Sequence, residues 1–166
     1  MDIETRLQTV ESLLQPWTAT ATHPEANRCD VVIDSQHLHA AVQALKEVGW
    51  GYLSAISGLD CAAPAPAEGQ PAVEGHLEVL YHFCDGPAVL TIRVSLPYAD
   101  AILPSVCDLL PYATLYEREL MELLGVRIEG TPNSDRLVLP DEWPDGVYPL
   151  RKAFTGFAAP ATEGKE

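Results

Sequence analysis

The stretch HLEVLYHFCDGPAVLTIRVSL, residues 76–96, carries the pattern on which the fold turns. Leu77, Val79, Tyr81 and Phe83 alternate with polar or small residues, the period of a strand with one buried face. Asp85-Gly86-Pro87 is turn chemistry. Val89 to Leu96 returns as a second strand with Leu90, Ile92 and Val94 on one face. The segment therefore predicts a β-hairpin. A hairpin with one apolar side needs more strands and a covering layer to hide it.

Both are supplied by the flanking sequence. Ile3, Leu7, Val10, Leu13 and Leu14 recur at helical spacing over residues 2–15, and Pro16 ends that helix. Thr18 to Asn27 is polar and reads as a loop. Val31-Val32-Ile33 is a short strand core closed by Asp34-Ser35. Ser35 reads as the N-cap of a helix whose apolar face is Leu38, Ala41, Val42 and Leu45, stopped at Gly49. Tyr52 to Leu59 is a further strand, and the Pro-, Ala- and Gly-rich run from Ala62 to Ala72 is a loop. Downstream, Ile102 to Leu110 predicts a short helix and Pro111 to Leu124 a longer one that ends at Gly125. The fold class is α+β: a mainly antiparallel sheet with helices packed on one face. Residues 1–125 form that domain. Residues 126–166 have no sustained period and are rich in proline and glycine, with Trp143, Tyr148, Phe154 and Phe157 spaced among them. They read as an extended C-terminal docking arm that packs its aromatics on another surface.

Charge removes several classes of function. The chain carries 24 acidic against 10 basic residues, a net charge of −14. Nucleic acid and anionic lipid both call for basic patches, so neither is expected as a partner. No run approaches the roughly 20 apolar residues that cross a bilayer. The acidic amphipathic start is not a secretory signal, which points to the cytoplasm. The four cysteines, Cys29, Cys61, Cys84 and Cys107, make no C-x-x-C pair and read as buried thiols rather than metal ligands. His37-x-His39 sits early in a helix, where the two rings point apart. His76 and His82 read as structural. There is no phosphate-binding glycine loop and no Ser/His/Asp or Cys/His arrangement.

The helix at 113–124 holds the most telling charges. At about 100° per residue, Leu115, Tyr116, Leu120, Leu123 and Leu124 share one arc. Glu119 falls inside that arc, so it is expected to be buried and to need a partner. Arg118 and Glu122 lie opposite, spaced for an i,i+4 ion pair, and Glu117 lies at the border. Paired carboxylates at Glu117 and Glu119 would suit acid–base catalysis, but no nucleophile, metal cluster or pocket signature accompanies them. In an otherwise acidic chain, Pro149-Leu150-Arg151-Lys152 is the strong basic patch. It follows Trp143 and Tyr148, and aromatic residues with arginine are typical interface anchors.

The segment Tyr116-Glu-Arg-Glu-Leu-Met-Glu-Leu-Leu-Gly-Val126 resembles the signature of the 30-kilodalton subunit of respiratory complex I, a component of the bacterial NADH-quinone oxidoreductase. The likeness continues through Glu129-Gly130-x-Pro132, Arg136-Leu137-x-Leu139-Pro140, Trp143 and Gly146 to Lys152. It extends more loosely over residues 29–110, including Ser57-Gly58-Leu59-Asp60. This resemblance implies a non-catalytic scaffold subunit of a peripheral arm, held at the cytoplasmic face of the membrane by its complex. It implies that the chain binds no cofactor and that iron–sulfur clusters reside in partner subunits. The implied partners are a hydrogenase-like large subunit of the 49 kDa type, a small iron–sulfur subunit and other peripheral-arm subunits. The implied interface comprises Glu117, Arg118, Glu119, Arg136 and Trp143, with Tyr148, Pro149, Leu150, Arg151 and Lys152 beyond them. The same family includes subunits of membrane-bound energy-converting [NiFe] hydrogenases and of ferredoxin- or deazaflavin-oxidising relatives. Ile128, Thr131 and Ala153 depart from the common pattern, and so the sequence leaves the host complex open.

Overall fold

The structure, a computed structural model, describes residues 1–63 and 74–157. Most of the loop expected over 62–72 thus lies outside the described residues. Helix α1 (Ile3–Leu14) starts where the Asp2 side chain accepts the Thr5 N–H at 2.8 Å, and it buries Leu7, Val10 and Leu14. Strands β1 (Thr18–Glu25) and β2 (Arg28–Ile33) follow. Helix α2 (Leu38–Val48) buries Leu38, Ala41, Val42 and Leu45 and stops at Gly49, whose left-handed φ of 67° suits glycine. Then come β3 (Tyr52–Cys61), β4 (His76–Asp85), β5 (Ala88–Pro97), the short β6 (Ile102–Pro104), helix α3 (Thr114–Leu124) and the short β7 (Arg127–Glu129).

Five strands form one sheet in the order β1-β2-β5-β4-β3, antiparallel except for the parallel β2–β5 pair. The expected hairpin is its centre. Its register sets Leu77 against Leu96, Val79 against Val94, Tyr81 against Ile92 and Phe83 against Leu90. Cys29 and Val31 of β2 extend this face on one side, and Ile56 and Gly58 of β3 extend it on the other. The three helices share one hydrophobic core with these residues, so the helices cover one face, as the α+β reading requires.

The opposite face is polar and closes on itself. Arg28 donates to Asp30 at 2.6 and 3.0 Å, and Arg93 reaches Asp30 at 3.3 Å and Glu78 at 2.7 and 2.8 Å. Hydrogen bonding to Glu78, with that carboxylate and Asp30 as counter-charges, pushes the Arg93 guanidinium further from deprotonation. His82 lies 3.2 Å from both Ser57 Oγ and Thr91 Oγ1; burial, then the Arg28 charge, lowers its basicity.

Three local expectations are corrected. The segment Thr18–Asn27 is mostly strand β1 rather than loop: it is an edge strand, and its threonines favour extended backbone even though few side chains are covered. Asp34, not Ser35, is the capping residue; it accepts the Gln36 N–H at 3.0 Å at the start of a short 3-10 turn that leads into α2. The helix expected over Ile102–Leu110 is instead strand β6 followed by turns. β6 pairs in parallel with β7, which arrives only after α3, so local periodicity could not reveal it. Leu103 faces inward between the less buried Ile102 and Pro104.

Helix α3 comes unusually close to β3 at Gly58. A Cβ there would overlap Leu124 Cδ1 and stand 2.9 Å from Leu120 Cδ2. Gly58→Val is therefore expected to destabilise the fold by about 1–3 kcal/mol, read from chemical denaturation. Adding Leu124→Ala should recover part of that loss by opening the space.

Candidate functional site

Helix α3 and the chain that returns over it bring most of the sequence-predicted interface residues together. The inward line of the helix runs Ala113, Glu117, Leu120 and Leu124, all buried. Glu117 is completely buried. Its carboxylate accepts Ser105 Oγ–H at 2.9 and 3.1 Å, the Val106 N–H at 2.8 Å and the Cys107 thiol at 3.2 Å. Burial, then the neighbouring Ser105 and Glu117 bonds acting in opposite senses, leaves the Cys107 thiol pushed up to about 11. Burial first, then the Glu117 charge, raises the Tyr81 phenol as well.

This corrects the helical-wheel expectation for Glu119, which is exposed, as is Leu115 at 51%. The apolar residues Leu115 and Leu123 drew the wheel's centre toward Glu119. The packed line is set instead by the donors that the 105–107 segment offers to Glu117. Ala113 and Leu124, at helical spacing from Glu117, were the available signal.

Arg118 and Glu122 do not form the expected ion pair among the described residues. Each holds backbone of the returning segment. Arg118 donates to the carbonyls of Asp135 (2.7 Å) and Arg136 (2.6 Å). Glu122 accepts successive N–H groups from Leu137, Val138 (2.9 Å) and Leu139 (2.8 Å). Arg136 in turn donates to the Pro140 carbonyl at 2.9 Å and to Asp145 at 2.7 Å.

Farther on, the chain closes the end of α3. Tyr148 lies flat on Gly125, where a Cβ would overlap its ring. The Leu150 N–H reaches the Leu123 carbonyl at 3.0 Å, and Arg151 Nε the Leu124 carbonyl at 2.5 Å. These carbonyls lack partners within the helix, and a cation at this end also opposes the helix dipole. The Arg151 guanidinium stands 5.2 Å from the Tyr98 ring centre and 5.7 Å from that of Tyr148, within cation–π range. Asp60 accepts the Tyr98 hydroxyl and the Lys152 N–H, the latter at 2.7 Å. Burial opposes the charged form of Asp60, but these bonds and the Arg151 and Lys152 charges outweigh it and hold the carboxyl below its ordinary value. The bond to Asp60 pushes the Tyr98 phenol up to about 12. Asp60 and Tyr98 were not among the interface residues expected from the sequence. A cavity of about 610 Å³ lies between Asp60, Tyr98, Tyr148, Arg151 and Phe154.

Trp143 packs edge-on to Phe157 at 5.0 Å and tilted to Phe154 at 5.9 Å, while its Nε1–H donates to the Val147 carbonyl at 2.8 Å. Leu137, Val138, Leu150 and Phe157 remain exposed at 41%, 59%, 55% and 58%. The arrangement is a firmly held segment with apolar side chains turned outward. Among its described residues, no group is poised as a nucleophile.

A family model described as "Respiratory-chain NADH dehydrogenase, 30 Kd subunit" matches residues 31–159. The chain belongs to this family. It is similar to the membrane-bound hydrogenase subunit beta of Pyrococcus furiosus, 42% identical over 74 residues that make up 44% of this chain and 43% of that one. It is 31% identical to formate hydrogenlyase subunit 5 of Escherichia coli over 81% of this chain and 23% of that one. It is 35% identical to an NADH-quinone oxidoreductase subunit of Chloroherpeton thalassium over 62% of this chain and 39% of that one. The aligned regions thus span less than half the length of each of these relatives. Among solved structures, a trypsin-resistant fragment of Nqo5 superposes with a TM-score of 0.61 at 25% identity, covering 80% of this chain and 99% of the fragment. A chain of a membrane-bound sulfane sulfur reductase shares the fold, with a TM-score of 0.64 at 23% identity over 89% of this chain and 84% of that one. Among the described residues, no helix is long and apolar enough to cross a membrane.

Two consequences are measurable. Glu117→Ala strands three buried donors and should cost about 3 kcal/mol or more in chemical denaturation, whereas Glu119→Ala should change stability by less than about 0.5 kcal/mol. Asp60 has a folded carboxyl below its ordinary value of 3.8, so its contribution is full above that value and is lost as pH falls through the lower, folded one. The Lys152 amide resonance should follow this acid titration by NMR, and Asp60→Asn should abolish the transition.

Proposed function

We propose that this chain is a non-catalytic scaffold subunit in the peripheral arm of a complex I-like NADH:quinone oxidoreductase, supporting electron transfer coupled to ion translocation. In this reading it sits at the cytoplasmic face of the membrane and reaches the membrane only through its partners. Those partners are a hydrogenase-like large subunit of the 49 kDa type, a small iron–sulfur subunit and other peripheral-arm subunits. The chain holds no redox group of its own, and the iron–sulfur clusters lie in the partners.

The observation that carries this reading is the segment from Asp135 to Phe157. Arg118 and Glu122 hold its backbone, and its own Leu150 N–H and Arg151 side chain bind the carbonyls at the end of α3, yet Leu137, Val138, Leu150 and Phe157 stay exposed. Apolar side chains on a pre-ordered backbone lose little entropy on docking, which favours a stable contact. Contiguous exposed apolar groups mark interaction surfaces, and Leu137 and Val138 are neighbours in the chain. Family membership supports the kind of assembly, because relatives carry the names of NADH-quinone oxidoreductase subunits.

A second reading keeps the same role but changes the host: a membrane-bound energy-converting hydrogenase or a ferredoxin-oxidising relative. It is favoured by the 42% identity to a hydrogenase beta subunit and by the 81% of this chain that aligns with a formate hydrogenlyase subunit. A large subunit that retains both nickel-binding cysteine pairs would select this host.

The test is affinity capture of the tagged full-length chain from its native membranes, followed by identification of the large subunit. Leu137→Glu with Val138→Glu changes exposed positions and should leave the circular dichroism spectrum intact while lowering recovery of that subunit by about tenfold or more. Recovery at the wild-type yield would sink the docking proposal.

A further inference from the structure

At the opposite end of the sheet, Glu11, His23 and Cys29 converge. One ligand atom from each, a carboxylate oxygen, a ring nitrogen and the thiol sulfur, lies within 4.8 Å of the other two. Three different elements supply them: Glu11 from α1, His23 from β1 and Cys29 from β2. His23 Nε2 already stands 3.3 Å from Glu11 Oε2.

A defect in strand pairing brings His23 to this place. β1 and β2 are in register at Thr22 with Asp30 and again at Glu25 with Arg28. Between those pairs, His23 and Pro24 oppose the single residue Cys29, which is a β-bulge. Bulges re-aim a side chain that a regular strand would send to the other face. Cys29 is fully buried against the core, whereas Glu11 and His23 are partly open to solvent. A cavity of about 390 Å³ lined by Glu4, Leu7, Gln8, Glu11, His23 and Ala26 borders the Glu11 and His23 side of the site.

We propose that Glu11, His23 and Cys29 bind one zinc ion that ties α1 to the β1–β2 edge, with a water in the fourth position. The donor set selects the metal. A thiolate and an imidazole are poor ligands for calcium or magnesium, which take oxygen, whereas sulfur, nitrogen and a carboxylate oxygen suit Zn²⁺. Ligand bonds of about 2.0–2.3 Å require the three groups to draw together, and the solvent-facing Glu11 and His23 side chains have room to do so. Binding replaces the Cys29 thiol proton, which leaves to solvent, while His23 binds through a neutral ring nitrogen. Without a cation the site is electrostatically unfavourable for a thiolate: burial, then the Glu11 and Asp30 charges, pushes the Cys29 thiol up to about 11. All three residues precede position 31, where the family match begins. The site departs from the sequence expectation that the cysteines are simple buried thiols. Zinc is redox-inert, so the proposal adds no electron-transfer step, and it is independent of the docking role.

The experiment uses the untagged full-length chain, stripped with a chelator and titrated with Co²⁺ and then Zn²⁺ against a chromophoric competitor. The expected result is one equivalent bound, a thiolate-to-cobalt charge-transfer band, and displacement of the band by Zn²⁺. Cys29→Ser should abolish the band. Because Cys29 is buried and its replacement can by itself unfold the chain, Glu11→Gln and His23→Gln at solvent-facing positions serve as the second pair. Each should weaken Zn²⁺ binding by more than about tenfold, the loss seen even for outer partners of a ligand. No band in the wild type, or wild-type affinity in His23→Gln or Glu11→Gln, would overturn the proposal, as would a band retained in Cys29→Ser, which would assign the thiolate to Cys61, Cys84 or Cys107.

Discussion

A carboxylate sealed from water must find its hydrogen bonds inside the protein, and Glu117 finds them in the 105–107 segment. Losing hydration costs a charged group more than a weak contact returns, so the donors must all be in place. They can be in place only if the chain leaving β6 turns back beneath α3. β7 then runs alongside β6, and Val126 and Ile128 are drawn into the core. Farther along the same inward line of the helix, Gly58 leaves room for Leu120 and Leu124, where a Cβ would overlap Leu124. The position of α3 is thus fixed at two points along its inward face, by a polar requirement and by a steric one.

With the helix fixed, its outward charges acquire a specific use. An exposed i,i+4 ion pair contributes only about 0.3–0.5 kcal/mol. Arg118 and Glu122 instead satisfy carbonyls and N–H groups of residues 135–139, a stretch with no ladder of its own. Each bond of this kind has a charged partner and is correspondingly stronger. Arg151 does the same for the terminal carbonyl of the helix, held between two tyrosine rings. This resolves how a segment without hydrophobic period becomes ordered: its backbone is held by side chains of a helix, not by strand pairing or by a core of its own.

The sequence was most readable where a structure is local. The alternation in residues 76–96 and the stripes of α1 and α2 depend on neighbours a few positions away, and they appear as read. β1 was missed because an edge strand facing solvent is polar, and polarity resembles a loop. β6 was missed because its partner lies beyond α3. At Glu117 and Glu119 the wheel ranked residues by apolar neighbours, while the buried position was set by donors from a different segment. Arg118 and Glu122 were placed correctly on the outer face, but an intrahelical pair was considered before backbone across the chain. Glu11, His23 and Cys29 form no motif along the chain, since only a bulge and the packing of α1 bring them together.

The uncovered face of the sheet bears on where a partner can bind. Arg28, Asp30, Arg93 and Glu78 satisfy one another there, and His82 is engaged with Ser57 and Thr91. A partner docking on that face would have to desolvate charges already paired, and such burial returns little. The 135–157 segment presents a different case: Arg118 and Glu122 occupy backbone groups of residues 135–139 from the inner side, and Leu137, Val138, Leu150 and Phe157 are exposed among charged residues such as Asp141, Glu142 and Asp145. The same clamps that order the segment therefore determine which surface of this acidic chain can gain from contact with another subunit, and they favour the segment over the sheet.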